Sequence, residues 1–155
     1  MKTKVLTLAL LAGIAFALPA AAQDATAAAT YKDIEATLGS VPTSWKLLPE
    51  DAVAAVWAEQ KAINSSTTLS AKEKHLIALG VAAQIPCAYC VYGHTAAAKL
   101  NGATDAEIKE AVMVAAFIRQ MSTVSNGMAL DFAEFKKETD AVLAHAAAQM
   151  KAAKQ

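Results

Sequence analysis

The sequence lacks the features that mark several large classes of protein. Lysine plus arginine and aspartate plus glutamate each number 14, so the basic excess typical of nucleic-acid binding is missing. Runs in which Val, Ile or Thr alternate with polar residues are absent, which argues against β-strands. No repeat of fixed period is evident. Cysteine is scarce too: the 155 residues include two, so the chain can close only one internal disulfide.

What remains is an alanine-rich chain of one-domain length. We predict an all-α fold in which residues 23–155 form a single helical domain. Ser70–Glu73 and Thr104–Glu107 fit capping boxes, which start helices, and Asn101-Gly102 is a stop signal. A break at Pro86 starts a further helix at the first cysteine.

Four further local expectations follow from the sequence. Residues 23–30 are expected to be loose, and residues 122–127 are a possible interruption of the helix that follows Thr104. The helix over residues 71–84 is apolar nearly all round, which predicts burial. Trp45 and Trp57 are expected in the core or at an interface.

The N-terminal 22 residues have the pattern of a secretory signal peptide. Lys2 and Lys4 precede an apolar run over residues 5–18, and Pro19 and three alanines follow it, which predicts cleavage near Ala22. The alternative is an uncleaved anchor, but the run is shorter than the roughly 20 residues of a spanning helix. Without the two leader lysines, 12 basic and 14 acidic residues remain, a formal charge of −2. We therefore expect a periplasmic or secreted protein without stable membrane insertion.

The motif that suggests chemistry is Cys87-x-x-Cys90-x3-His94. On a helix these three side chains share one face. His94 can take a proton from a thiol and leave a thiolate, the reactive form of cysteine. The helix N-terminus favours a thiolate at Cys87, whereas proximity to the histidine favours one at Cys90. These effects are similar in size, so they leave open which cysteine has the lower pKa.

Other interpretations of the same residues compete with a reactive dithiol. In an oxidising compartment the cysteine pair could be a structural disulfide. Cys87, Cys90, His94 and His75 could together supply four zinc ligands, if the two helices pack suitably. His94 could also be an ordinary histidine of the core or surface. Tyr89 and Tyr92 are expected to wall a pocket beside the thiols.

These motifs resemble a known family. Residues 72–83, the Cys87-x-x-Cys90-x3-His94 motif and the segment from Gly102 to Ile108 are similar to the AhpD-like alkylhydroperoxidases of the carboxymuconolactone decarboxylase superfamily. The similarity covers about residues 69–116. It implies an AhpD-like helical bundle with the C-x-x-C at the start of a central helix, in a chain that assembles as trimers or multiples of them.

The resemblance also implies a thiol peroxidase reaction that needs no cofactor, haem or metal. By that resemblance Cys90 attacks the peroxide, Cys87 resolves the sulfenic acid and His94 belongs to a proton relay. The family carries a glutamate twelve residues before the first cysteine, where this chain has His75, so His75 is expected to take its place in the relay. The reductant of an exported member is an unidentified thiol. The rival functions are a dithiol–disulfide oxidoreductase and a non-catalytic assembly protein.

Overall fold

The described part of the protein consists of helices joined by short turns and loops. A computed structural model describes residues 20–154, with side chains from residue 26 onward, and contains no strand in that range. The α-helices are α1 (Ala20–Leu38), α2 (Val53–Ser65), α3 (Ala71–Gln84), α4 (Ala88–Leu100), α5 (Asp105–Gly127) and α6 (Phe132–Ala152), with a 3-10 helix at Thr43–Leu47. The all-α prediction is confirmed. The predicted signal peptide lies almost wholly outside the described residues.

The chain divides into two compact units, one ending at Ser66 and the other starting at Thr67. The prediction of a single domain stays a prediction. Among the described residues, no helix is both long enough and apolar enough to cross a membrane.

The first unit is built on the packing of α1 against α2. Its core contains four buried side chains, Ala27, Ile34, Val53 and Trp57. Trp45 packs against Trp57 edge to face, with the ring centroids 5.2 Å apart. The Trp57 indole N–H donates to the Asp33 carboxylate at 2.7 Å, which pairs the polar atom of this buried ring.

The expectation that residues 23–30 are loose is wrong. These residues belong to α1, and Thr30 donates its hydroxyl proton to the carbonyl of Thr26, one turn earlier. Alanine has the highest helix propensity of any residue, and Ala27 is buried against α2. Packing therefore stabilises a segment whose composition alone looked irregular.

The second unit is organised around α3, which packs against α4 on one side and α5 on another. Leu79 and Ala82 are its buried residues. Gly80 faces α5, and a Cβ there would make an ordinary van der Waals contact with the Cβ of Ala115, at 3.6 Å. The Gln84 side-chain amide donates to the Ala115 carbonyl at 2.6 Å and ties the end of α3 to the middle of α5.

The expected burial of α3 all round is wrong. Ile77 and Val81 are each more than half exposed, at 56% and 55%. They lie near an apolar groove of about 580 Å³ between α3 and α5, which no other described element fills. Helix α5 also runs without interruption to Gly127, so the expected break over residues 122–127 is absent.

Both predicted capping boxes are confirmed. Ser70 and Thr104 each accept the backbone N–H of the glutamate three residues on, and that glutamate reaches back to the capping residue. Glu107 also pairs with Lys72 at 2.7 Å, linking the starts of α3 and α5. The hydrogen bond from Lys72, followed by those from Thr104, lowers the pKa of Glu107 to about 2.

Two helices end in the same backbone motif with different residues at the left-handed position. After α4, Gly102 has φ +86°, and the N–H of Ala103 donates to the Ala98 carbonyl at 2.9 Å. After α5, Ala129 has φ +50°, and the N–H of Leu130 donates to the Ser125 carbonyl at 3.0 Å. Both are Schellman ends, in which glycine is favoured because it has no Cβ.

We expect opposite effects from exchanging these two residues. Gly102→Ala should lower the free energy of unfolding by about 1 kcal/mol, and Ala129→Gly should leave it unchanged or raise it by up to about 1 kcal/mol. Chemical denaturation followed by circular dichroism measures both. If Ala129→Gly lowered the free energy of unfolding, the expectation that the left-handed conformation of Ala129 costs stability would be contradicted.

Candidate functional site

The two cysteines lie at the start of α4 and are joined to each other. Cys87 is the N-cap of the helix, and Cys90 lies in its first turn. Their sulfurs form a disulfide, and the two Cα atoms are 5.3 Å apart. The backbone N–H of Cys87 donates to the Ala82 carbonyl at 3.1 Å, so the end of α3 holds the first cysteine in place.

The sulfur of Cys87 also caps the helix. It accepts the backbone N–H of Cys90 at a donor–acceptor distance of 3.2 Å. The first N–H groups of a helix have no partner within it and carry partial positive charge. In the reduced protein we expect the same contact to stabilise a thiolate at Cys87.

The two cysteines are at the edge of the described surface rather than in its core. Cys87 and Cys90 are partly exposed, and the residues around them project into solvent. Tyr89 is 91% exposed and Tyr92 is 80% exposed, and Tyr92 lines an open cavity of about 520 Å³ along α4. The expectation that the two rings wall a pocket beside the thiols stays a prediction. Both rings lie away from the face of α4 that packs on α3, because that face is occupied by the cysteines and His94.

The packing of α3 on α4 brings two histidines together. The Nδ1 atoms of His75 and His94 are 3.1 Å apart, and the ring centroids are separated by 5.4 Å. One Nδ1 must donate a proton and the other must accept it, so at least one of the two rings is neutral in this contact. His94 lies four residues after Cys90, a spacing that puts the Cβ atoms about 5–6 Å apart on a helix.

His94 is suited to accept a proton near neutral pH. Its pKa lies below the usual value of about 6.5, chiefly because partial burial disfavours the charged ring, and further because His75 is a second potential cation beside it. A neutral imidazole is the form that can take a proton from a thiol.

Two other titratable residues do not join this cluster. Glu73, the acid nearest to the family's glutamate position, accepts the N–H and hydroxyl of Ser70 at 2.7 Å each and is engaged in the capping box. His145 is exposed on α6 and contacts Gln149 at 3.0 Å. Among the described side chains, no group of three or more His, Cys, Asp or Glu residues is arranged to hold a metal ion.

Sequence reasoning missed one contributor to this site, the Ala82 carbonyl, which holds the Cys87 backbone. A backbone carbonyl carries no signal of its own in the sequence.

Comparison with known proteins places this chain in a family. Residues 50–134 match the carboxymuconolactone decarboxylase family, and the chain belongs to that family. The chain resembles the crystal structure of the alkylhydroperoxidase AhpD core from Rhodospirillum rubrum, with a TM-score of 0.62 and 25% sequence identity. That similarity covers 78% of this chain and 93% of the other.

The chain is also similar in sequence to a relative that is itself described as uncharacterized. Over 59 residues the chain is 39% identical to the uncharacterized protein 4 in the cox locus of Paracoccus denitrificans. The match covers 38% of this chain and spans about half, 53%, of that relative. The suspected family is therefore confirmed, whereas the roles of Cys87, Cys90, His94 and His75 stay predictions.

The histidine contact can be tested by titration. In His75→Gln we expect the pKa of His94 to rise, because a neighbouring positive charge is removed, yet to stay below about 6.5, because burial is the larger cause. NMR of the imidazole protons measures it. His145→Gln is the matched control and should leave the titration of His94 unchanged. A fall in the pKa of His94 in His75→Gln would contradict the assigned cause.

Proposed function

We propose that the protein is an exported thiol-dependent peroxidase that reduces hydroperoxides through the Cys87–Cys90 disulfide cycle. The observation that supports this most directly is a partly exposed disulfide at a helix N-terminus, with a histidine pair held on the adjoining face of the same two helices. Family membership and the similarity to an alkylhydroperoxidase core favour the same chemistry. The predicted signal peptide motivates a periplasmic or secreted location.

The reaction begins from the reduced dithiol. The Cys90 thiolate attacks one peroxide oxygen, so that an S–O bond forms and the O–O bond breaks. The departing alkoxide takes a proton and leaves as an alcohol, or as water when the substrate is hydrogen peroxide. Cys90 is then a sulfenic acid. The Cys87 thiolate attacks the Cys90 sulfur, hydroxide leaves with a proton as water, and the disulfide forms.

The histidines move the protons that this cycle requires. His94 takes the Cys90 thiol proton and returns one to the departing oxygen. His75 holds the ring of His94 through the contact between their Nδ1 atoms and occupies the position where the family carries a glutamate. Each turnover oxidises the dithiol by two electrons, and an external thiol reductant returns them.

One observation favours a second candidate function. The contact of Cys87 Sγ with the Cys90 N–H stabilises a thiolate on the first cysteine, which suits a dithiol–disulfide oxidoreductase that acts on protein thiols. A structural disulfide is the remaining alternative. A reduction potential above about −300 mV would separate either redox function from such a disulfide, which is harder to reduce.

The test of the proposed function is peroxide consumption with dithiothreitol as the reductant. Cys90→Ser should lower the rate by about three orders of magnitude or more, because the nucleophile is lost, while the helical circular dichroism is retained. Cys87→Ser, reduced beforehand and freed of dithiothreitol, should consume about one equivalent of peroxide and then hold Cys90 as a sulfenic acid, which dimedone labels. Unchanged consumption in Cys90→Ser would refute the peroxidase.

We also propose that the chain assembles with copies of itself. Helices α5 and α6 contain no buried residue, and many of their large apolar side chains are exposed. On α5, Met113, Phe117 and Ile118 are 67%, 58% and 62% exposed. A contiguous apolar patch of this kind commonly marks an interaction surface.

Light scattering of the purified protein tests this assembly. Wild type should have the mass of an oligomer, and Phe117→Glu should shift it toward the single chain, because a charge would be buried at the interface. Gln60→Glu adds the same charge at an exposed position of α2, outside α5 and α6, and should leave the mass unchanged. A wild-type protein that is monomeric at high concentration would contradict the proposed self-assembly.

A further inference from the structure

The apolar groove between α3 and α5 opens away from the redox site. Its α3 wall includes Ile77, Gly80 and Val81. At about 100° per residue, Ile77 lies roughly 200° around α3 from His75, so this wall is on the opposite side of the helix from the histidine contact. The cavity of about 580 Å³ is therefore not the route of a substrate to the disulfide. Its mostly apolar lining suits an apolar occupant.

Helix α6 has an apolar stripe and no helix packed on it. Among the described helices, α3, α4 and α5 pack together, and α6 shares no extensive contact with any of them. It contains no buried residue. Large apolar side chains recur along one side of α6 and are each between 45% and 76% exposed: Phe132, Phe135, Val142, Leu143 and Met150. In globular proteins such a stripe faces other apolar surface, so α6 indicates a partner.

The connection between α5 and α6 sets the direction in which α6 leaves the bundle. Ala129 is left-handed, and the N–H of Leu130 donates back to the Ser125 carbonyl at 3.0 Å. The carboxylate of Asp131 then accepts the N–H of Glu134 at 2.8 Å and caps the start of α6. Both ends of this short connection are hydrogen-bonded locally. The groove and the stripe of one chain are therefore both left uncovered.

The groove and the stripe match in length. Along α5 the groove extends from Ala111 to Ser122, about 16 Å at 1.5 Å per residue. The stretch of α6 from Phe135 to Ala146 is equally long, and Val142 lies on the same side of the helix between them. A helix that docks in an apolar groove uses side chains at this kind of spacing as its anchors.

Charge favours one direction of docking. Arg119 is the one charged residue that lines the groove. If α6 runs antiparallel to α5, with Phe135 at the level of Ser122, then Glu138 comes to the level of Arg119. Neither Glu138 nor Arg119 forms an ion pair with another described residue. In the parallel direction a leucine would take that place. Opposite charges of this kind determine orientation more than affinity.

The same antiparallel alignment places a branched side chain over small ones. It puts Val142 at the level of Ala115, whose Cβ lies 3.6 Å from the position of a Cβ on Gly80. Val81 lines the groove next to Gly80 and is 55% exposed, and Val142 is 66% exposed. Docking would remove both valines from water, which is favourable.

We propose that α6 of one copy docks in the α3–α5 groove of a second copy, antiparallel to its α5, and that the second copy returns the same contact. This inference rests on the proposed self-assembly and names the two surfaces that meet. The occupant is a second copy because the chain carries both halves of the contact and does not join them within itself. Exchange of an identical element between two chains closes a two-fold pair.

The experiment mixes two variants that each lose one half of the contact. Val81→Glu puts a charge in the groove, and Val142→Lys puts a charge on the stripe of α6. Each alone should shift the mass measured by light scattering from that of the wild-type oligomer to that of the single chain, because an unpaired charge would be buried. Mixed in equal amounts, the two variants should recover the mass of a pair. One contact then joins unaltered surfaces, and the other joins a glutamate to a lysine.

Controls carry the same charges at exposed positions outside the contact. Ala148→Lys lies about 160° around α6 from Met150, and Gln60→Glu lies on α2. Both should keep the wild-type mass, and a loss of mass in either would overturn the assignment. Val81 and Val142 are more than half exposed in the single chain, so circular dichroism should show the helices retained in both variants.

Cross-linking tests the direction of docking without adding charge. Arg119→Cys on one copy and Glu138→Cys on a second, size-tagged copy are co-expressed and treated with bismaleimidoethane. This reagent joins free thiols and leaves the Cys87–Cys90 disulfide intact. We expect a product with the mass of one tagged and one untagged chain. Ala148→Cys in place of Glu138→Cys should give far less of it, and equal yields would overturn antiparallel docking.

The remaining outcomes separate this exchange from self-assembly in general. If Val81→Glu and Val142→Lys both keep the wild-type mass, the exchange is overturned, even where Phe117→Glu breaks up the oligomer. If both are single chains and stay so on mixing, docking between copies is overturned. A monomeric wild type would contradict the self-assembly and the exchange together.

Discussion

The contact between α3 and α4 is the constraint on which the site depends. Leu79 and Ala82 are buried on α3, and Ala98 is buried on α4, so apolar burial determines how the two helices meet. The same packing brings His75 against His94 and lets the Ala82 carbonyl hold the backbone of Cys87. A shift of one helix along the other would separate the histidines and release the first cysteine together.

The backbone around the disulfide is held in place, while the two cysteines are partly exposed. Backbone hydrogen bonds and the disulfide hold the first turn of α4, yet Cys87 and Cys90 remain partly exposed. A disulfide that serves only stability gains little from a loop this short, since the chain entropy it removes is small. Exposure, the thiolate-stabilising N–H and the neighbouring imidazoles are all features of reactive cysteines.

Most of the exposed apolar surface lies on helices that do not carry the cysteines. It is mainly on α5 and α6, and it includes the open groove between α3 and α5. Exposed aromatic rings also lie on α4, at Tyr89 and Tyr92. The face proposed to associate with copies of the chain is therefore built mainly by helices other than the one that carries the disulfide.

The sequence by itself determined the elements around the site. Capping boxes at Ser70 and Thr104 and the stop at Gly102 are local signals, because each depends on contacts within a few residues. The shared face of Cys87, Cys90 and His94 follows equally from helical spacing. The helical state of residues 23–30 was not predictable in this way, since it depends on burial of Ala27 against α2.

Only the tertiary structure decided which residues meet across helices. The contact of His75 with His94 spans 19 positions and depends on a packing angle that no local pattern encodes. The same holds for Tyr89 and Tyr92, whose rings are exposed because α3 covers the opposite face of α4. Side-chain spacing along one helix is set by its geometry, whereas distances between helices are set by how their surfaces fill space.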